Sequence, residues 1–277
     1  MKQAWETLQP ILPKGLLKEL NEDTMTGLQE LRLREGAVPE LNYGRNQKYL
    51  TRKATREDLA FLINAASRYS PWQAETMAKG YLTASGGHRI GICGEALYHG
   101  GKMQGIRNPD SVCIRIARDI CGIGTSFAGI KKSILILGQP GSGKTTLLRD
   151  IARTVSETDT VAVVDEREEL FPLDFNRGKR MDVLRLCPKQ IGVEMLLRTM
   201  GPQWIAVDEI TNEADCEALI KASNCGVKLL ATAHASDSSD LRKREVYRKL
   251  METNIFENVV ILRMDKSYIW ERKEPWG

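Results

Sequence analysis

Apolar positions follow two different spacings along the chain, and the spacing changes near residue 120. In the first part, "LQELRLREG" alternates Leu28, Leu31 and Leu33 with charged residues, as a half-buried strand does. The stretch "TREDLAFLINAASRYS" has helical spacing, with Thr55 as N-cap and Pro71 as its end. From 80 to 118, short β-prone runs punctuated by glycine predict hairpins of an antiparallel sheet. Residues 1–120 are therefore predicted to form a small α+β domain.

The second part has apolar runs separated by helical stretches. The runs are "SILILG", "TVAVVD", "WIAVDE", "VKLLATA" and "VVILRM". Strands that are apolar almost throughout must be covered on both faces, which favours a largely parallel sheet between helices. We predict an α/β domain over 131–277 that ends in an antiparallel hairpin. The small, uncharged segment "CGIGTSFAGI", 121–130, is interpreted as a hinge or linker.

Composition adds little to this picture. The net charge of +4 over 277 residues gives no support to nonspecific nucleic-acid binding. Six cysteines show no zinc-type spacing, so we expect reduced thiols in a cytoplasmic protein. The start "MKQAWETLQP" lacks the apolar core of a signal peptide, and no long uncharged apolar stretch follows. We therefore expect any membrane association to go through a partner.

One glycine-rich turn carries a specific chemical signal. The motif GxxxxGK[ST] stands between an apolar strand and a helix, the context in which it binds a nucleoside triphosphate. Its residues are Gly138, Gln139, Pro140, Gly141, Ser142, Gly143, Lys144, Thr145 and Thr146. Backbone amides and the helix start would hold the phosphates, Lys144 would reach the β and γ phosphates, and Thr145 would bind Mg²⁺. Thr146 is a candidate for the α phosphate.

A second motif, "WIAVDEI", ends an apolar strand in Asp208 and Glu209. In open α/β sheets such strand ends face the ligand, so Asp208 would hold Mg²⁺ through water and Glu209 would orient or deprotonate the attacking water. The alternative is an ordinary strand end with acidic surface residues. The phosphate-loop motif upstream favours the first interpretation.

The residues at two further strand ends indicate a functional site less specifically. A cluster of four carboxylates with Arg167 among them follows "VAVVD" and consists of Asp165, Glu166, Glu168 and Glu169. Without the phosphate loop, such a cluster would be interpreted as a solvated loop. His234 ends the strand "LLATAHA", where a lone histidine is usually a neutral hydrogen-bonded residue. Its position beside the other strand ends makes it a candidate site residue.

The order of these motifs resembles that of the type II/IV secretion and pilus-motor ATPases, which are RecA-like enzymes with Walker A, Asp-box, Walker B and His-box motifs. The resemblance is closer to their sporulation branch in endospore-forming bacteria. It rests on segments that span most of the chain, namely "SRYSPWQAETMAKGYLTASGGHRIGICG", "IRIAR", "GQPGSGKTTLLRD", "VVDERE", "MDVLRLCPK", "LRTMGPQWIAVDEI" and "ATAHA".

The resemblance implies a RecA-like P-loop ATPase domain that uses ATP and Mg²⁺, preceded by a smaller α+β domain. It makes Asp208 and Glu209 the Walker B pair and His234 the sensor of the γ phosphate. Either Asp165 or Glu166 becomes the inner Asp-box carboxylate, because the motif aligns in two registers, and Glu209 ranks first as base. The family also implies a hexameric ring on the mother-cell side, partnered by membrane-embedded sporulation channel proteins.

The arginine that would stabilise charge on the γ phosphoryl is the site residue that the sequence identifies least well. Arg115 and Arg198 lie in segments that match the motor pattern, so we rank them ahead of Arg89, Arg107 and Arg185. An arginine of this kind is more often a surface ion-pair residue, and that alternative applies to each of the five. Two other classes of protein remain as alternatives: a nucleic-acid motor on the same core, which should carry a basic binding block, and an ATP-dependent assembly switch with little turnover.

Overall fold

Two separate β-sheets organise the chain, each in its own unit. A computed structural model of the protein describes residues 2–44, 46–67 and 80–272. The first unit comprises Met1–Asp119 with the short segment Pro172–Phe175, and the second comprises Ile120–Phe171 and Asn176–Gly277. The domain limits predicted above stay a prediction, and the predicted helix end at Pro71 lies outside the described residues.

The first unit contains an antiparallel sheet of six strands in the order β3-β2-β1-β6-β5-β4. Its strands are β1 Glu30–Arg34, β2 Glu40–Asn42, β3 Gln47–Tyr49, β4 Tyr81–Thr83, β5 Arg89–His99 and β6 Lys102–Arg115, and its helices are α1 Lys2–Leu8, α2 Lys14–Leu17 and α3 Arg56–Ser67. The predicted hairpins between 80 and 118 are confirmed, since β4, β5 and β6 pair in sequence.

Local sequence explains both kinds of element in this unit. In β1, Leu31 and Leu33 are fully buried while Arg32 between them is partly exposed, as the alternation predicted. Helix α3 begins with a reciprocal cap, because the Thr55 hydroxyl accepts from the Asp58 N–H and the Asp58 carboxylate accepts from the Thr55 N–H. The core then forms between one face of the sheet and the apolar faces of α1 and α3.

The second unit contains a seven-stranded sheet in the order β13-β12-β7-β11-β10-β8-β9, parallel except for β13. Its strands are β7 Ile134–Leu137, β8 Val161–Asp165, β9 Met181–Arg185, β10 Trp204–Val207, β11 Lys228–Ala233, β12 Asn258–Leu262 and β13 Tyr268–Arg272. Its helices are α4 Lys144–Val155, α5 Lys189–Thr199, α6 Glu213–Asn224, α7 Ser238–Lys243 and α8 Arg248–Glu252. The predicted parallel sheet and terminal hairpin are confirmed, whereas the edge strand β9 was missed.

This sheet is covered on both faces, which explains its almost continuous apolar strands. Ile134 and Ile136 of β7 pack with α4 on one face, while Leu135 and Leu137 pack with α5 and α6 on the other. The segment interpreted as a hinge adds to the first of these layers, because Phe127 is 1% exposed and stacks on Trp270 at 4.8 Å. Among the described residues, no helix is long and apolar enough to cross a bilayer.

Candidate active site

The glycine-rich loop connects β7 to α4 at the carboxyl edge of the parallel strands. Gly141 and Gly143 have φ of +77° and +102°, a backbone conformation that other residues rarely adopt. A Cβ on Gly138 would lie 2.7 Å from the Leu262 carbonyl oxygen, so the loop runs closely against β12. No side chain caps the start of α4, which leaves its first N–H groups available to an anion.

The predicted loop residues differ in exposure. Gly138, Ser142 and Lys144 are buried, Gly143, Thr145 and Thr146 are half-buried, and Gln139, Pro140 and Gly141 are exposed.

Lys144 lies folded back onto the loop. Its Nζ donates to the carbonyl oxygens of Gly138 at 2.8 Å and Gln139 at 3.1 Å, and it lies 3.1 Å from Nδ1 of His234. Burial lowers the pKa of the Lys144 ammonium, and the carboxylates of Asp208 and Glu209 oppose that shift. The loop therefore holds a buried cation that phosphate oxygens could take over from the carbonyls.

Asp208 follows β10 and contacts the neighbouring strand β11 and the start of α4. Its Oδ2 accepts from the Thr145 hydroxyl at 2.8 Å, and its Oδ1 accepts from the Thr232 hydroxyl at 2.7 Å and from the Glu209 N–H at 3.0 Å. Hydroxyl and carboxylate oxygens are the donors that Mg²⁺ prefers, and Mg²⁺ takes few protein ligands beside water and phosphate. Thr145 and Asp208 thus fit a magnesium ion.

Glu209 and His234 complete a chain of contacts with Lys144. Nε2 of His234 lies 3.0 Å from Oε1 of Glu209. Because an ammonium only donates, Nδ1 of His234 must accept from Lys144, and the proton on Nε2 then points to Glu209. Glu209 has φ of +39°, a conformation uncommon outside glycine, and its side chain is 32% exposed. The carboxylate is thus held in place and remains accessible to water.

Asp165, one of the two Asp-box candidates, is buried and contacts backbone N–H groups of the loop after β8. It is 2% exposed, and its carboxylate accepts from the N–H groups of Glu169, Leu170 and Phe171 at 2.8 to 3.1 Å. Burial raises the pKa of the Asp165 carboxyl, and the three N–H groups oppose that rise. Its oxygens are occupied in shaping the loop that follows β8.

The same loop is held from its other side by the helix that begins at the phosphate loop. Arg149 of α4 is 6% exposed, and its guanidinium donates to the carbonyl oxygens of Glu169, at 2.8 Å, and Leu170. The backbone of this loop is therefore fixed through its amides by Asp165 and through its carbonyls by Arg149. These contacts tie the loop after β8 to helix α4.

Lys189 is a site residue that sequence reasoning missed. It is 7% exposed at the first position of α5, and its Nζ lies 2.6 Å from Oε2 of Glu166 and 3.6 Å from Oδ2 of Asp215. A lysine at the start of a helix interacts unfavourably with the helix dipole. That unfavourable position is the one signal in the sequence that could have indicated a carboxylate partner for Lys189. The cleft beside the strand ends is lined by Val164, Asp165, Glu166, Arg167, Glu169, Lys189, Asp208 and Glu209.

The two leading arginine candidates are mostly exposed, and each lies near a glutamate of its own unit. Arg198 is 76% exposed and pairs with Glu194 on its own helix, and Arg115 of the first unit is 69% exposed and lies 3.5 Å from Glu30. Arg185, ranked lower, ends β9 beside Asp165 and donates from Nε to the Phe171 carbonyl at 2.8 Å. Arg167 lies 3.8 Å from Glu209 and is mostly exposed.

Comparison with known proteins adds a family and a fold. A model of the family described as sporulation stage III, protein AA, matches residues 2–269. The chain is 35% identical over 284 residues to stage III sporulation protein AA of Bacillus subtilis (strain 168), covering 96% of this chain and 92% of that protein.

Two solved structures share the fold. The ATPase DotB of Legionella pneumophila matches with a TM-score of 0.61 and 16% identity, covering 92% of this chain and 79% of DotB. The pilus retraction motor PilT, with bound ADP, matches with a TM-score of 0.62 and 14% identity, covering 89% of this chain and 76% of PilT. These likenesses confirm the predicted fold class, a RecA-like P-loop α/β domain after a smaller α+β domain.

Proposed function

The chain belongs to the sporulation stage III protein AA family, and from that premise we propose that it is an ATP-binding and ATP-hydrolysing motor of the secretion-ATPase type. One observation carries the proposal. A continuous set of polar contacts joins Thr145 to Asp208 and Lys144 through His234 to Glu209, at the ends of three adjacent strands. A triphosphate bound at the loop would lie beside the residues that bind phosphate, Mg²⁺ and the attacking water.

Binding uses the loop and the start of α4. The glycine backbone and the uncapped helix start offer N–H donors to the phosphates, and the Lys144 ammonium exchanges its carbonyl partners for phosphate oxygens. Thr145 and Asp208 would hold Mg²⁺, which supplies positive charge to the phosphate oxygens. Thr232 keeps the Asp208 carboxylate oriented toward Thr145.

Hydrolysis requires a group that orients and deprotonates water. Glu209 suits this task because its carboxylate is accessible and is aligned by the His234 N–H. Asp165 is unsuited because its oxygens are occupied by backbone N–H groups. Since His234 contacts both Lys144 and Glu209, movement of Lys144 onto a γ phosphate would change the position of the base, which is the sensing role we assign to His234.

The family supports a more specific role. We infer that the chain forms a hexameric ring on the cytoplasmic, mother-cell side. The ring would use ATP hydrolysis to assemble or drive a sporulation membrane channel. The likeness in fold to a pilus retraction motor supports mechanical use of the hydrolysis. A nucleic-acid motor is disfavoured because the net charge is only +4. An assembly switch without turnover is the remaining rival.

Steady-state ATPase assays and sizing with a non-hydrolysable ATP analogue test this proposal. Wild type should hydrolyse ATP and assemble into rings with the analogue, whereas Lys144→Ala should bind little nucleotide. Glu209→Gln should bind nucleotide and assemble but turn over at least about 100-fold more slowly. If Lys144→Ala binds and hydrolyses ATP normally, the site assignment is wrong.

A sporulation assay in a host cell distinguishes the motor from the assembly switch. A motor requires that Glu209→Gln fail to support sporulation even though the variant assembles. If the variant assembles, binds its membrane partner and sporulates as wild type does, the motor role is wrong and the switch role replaces it.

A further inference from the structure

A second lysine contacts the phosphate loop from the terminal hairpin. Lys266, in the turn between β12 and β13, donates from Nζ to the carbonyl oxygens of Gly141 at 2.7 Å and Ser142 at 3.1 Å. The residue is exposed, and an exposed lysine ordinarily extends into water to keep its side-chain entropy. Here it lies over two carbonyls of the loop proposed to bind phosphate.

Hydrogen bonds fix the conformation of the turn that carries Lys266. The Arg263 N–H donates to the Ser267 carbonyl at 2.9 Å, and the Lys266 N–H donates to the Arg263 carbonyl at 3.0 Å. Asp265 accepts from the N–H and the hydroxyl of Ser267 at 2.9 and 2.6 Å. Lys266 itself has φ of +71°. These bonds hold the lysine at the loop in a conformation that costs a non-glycine residue free energy.

Both contacted carbonyls belong to peptide units whose N–H groups are part of the loop. The Gly141 carbonyl shares its peptide with the Ser142 N–H, and the Ser142 carbonyl shares its peptide with the Gly143 N–H. A cation bonded to the oxygen of a peptide polarises that peptide and makes its N–H a stronger donor. The ammonium also adds a positive charge near the place proposed for the phosphates.

We propose that Lys266 is a positioning residue that holds and polarises the phosphate loop, and thereby raises its affinity for the di- and triphosphate of a nucleotide. This inference rests on the proposed function. Lys266 is not a catalytic residue, because Lys144, His234 and Glu209 contact one another without it. It should therefore act on ATP and ADP alike and leave the chemical step unchanged.

The experiment compares Lys266→Met with Lys266→Arg and with Lys132→Met, which removes an exposed lysine before β7 and so changes net charge equally. Dissociation constants for fluorescent ATP and ADP, KM and kcat are measured in the full chain. Lys266→Met should raise both dissociation constants and KM about 3- to 10-fold and keep kcat within about twofold, the size expected for an exposed charged contact. Lys266→Arg should recover part of the loss.

Hydrogen exchange of the loop amides, measured without nucleotide, supplies a second readout. Lys266→Met should speed exchange at residues 141–143, whereas Lys132→Met should not. Equal nucleotide affinity and equal exchange in the two methionine variants would overturn the inference while leaving the proposed function intact. If wild type and Lys144→Ala both fail to bind nucleotide, the proposed function fails, and unchanged exchange in Lys266→Met would then overturn the loop-holding role as well.

Discussion

The ends of β8 and β10 lie next to each other in the sheet, and each carries a carboxylate pair, yet the two ends differ in what their oxygens do. Asp165, at the end of β8, is 2% exposed and accepts from three backbone N–H groups. Glu209, after β10, is 32% exposed, with Oε1 3.0 Å from Nε2 of His234 and Oε2 3.8 Å from the mostly exposed Arg167. A carboxylate whose oxygens accept from backbone N–H groups shapes a loop, whereas one that stays accessible between side chains can act on water.

The other carboxylates of the two pairs, Asp208 and Glu166, also differ in their partners. Asp208 is bonded to Thr145 and Thr232 and completes a polar network around the loop. Glu166 instead pairs with the buried Lys189, which also lies 3.6 Å from Asp215. We infer that Lys189 compensates the acidic charge of the cleft, since a buried ammonium needs carboxylate partners.

The largest effect should come from Glu209→Gln. The amide keeps the size of the side chain but cannot take a proton, so kcat should fall about 10²- to 10⁴-fold while ATP affinity changes little. Steady-state kinetics and equilibrium binding measure both quantities. Glu194→Gln, on the exposed face of α5, is the matched control. A Glu209→Gln variant with kcat within tenfold of wild type would assign the base elsewhere.

Asp165→Asn should act on stability instead. Oδ1 accepts from two N–H groups and Oδ2 from the Phe171 N–H, so an amide must turn its NH₂ group toward at least one donor. We expect a loss of about 1–3 kcal/mol in the free energy of unfolding, measured by urea denaturation. The exposed Asp182→Asn should change it by less than about 0.5 kcal/mol. Equal stability of the two variants would contradict the scaffold role.

Glu166→Gln decides the register of the Asp box. Glu166 is paired with Lys189 rather than free to accept a proton from water, so kcat should fall by less than about tenfold. A fall comparable to that of Glu209→Gln would make Glu166 a second essential base. The same assay on Lys189→Met should give a similar small loss if the pair works as a unit.

The comparison also shows where sequence reasoning stops. Motif order identified Lys144, Thr145, Asp208, Glu209 and His234, and the structure brings these together because parallel strands end at one edge. Lys189 and Lys266 are each separated in sequence from the residues they contact and belong to no motif that we could identify. The resemblance ranked Glu209 ahead of Asp165 as base, but side-chain type could not show the burial and the backbone partners that separate the two.

The smallest effect is the pH dependence of the Asp165 contribution. Burial raises the pKa of Asp165 above its usual 3.8, so the folded chain binds this proton more tightly than the unfolded chain. The stability that Asp165 contributes is therefore present at low pH and is lost as the pH rises through the pKa of Asp165 in the folded chain. The difference in unfolding free energy between wild type and Asp165→Asn should be larger near pH 4 than at pH 7, as measured by urea denaturation. A difference that grows with pH would mean that the three N–H groups outweigh burial and lower the pKa of Asp165.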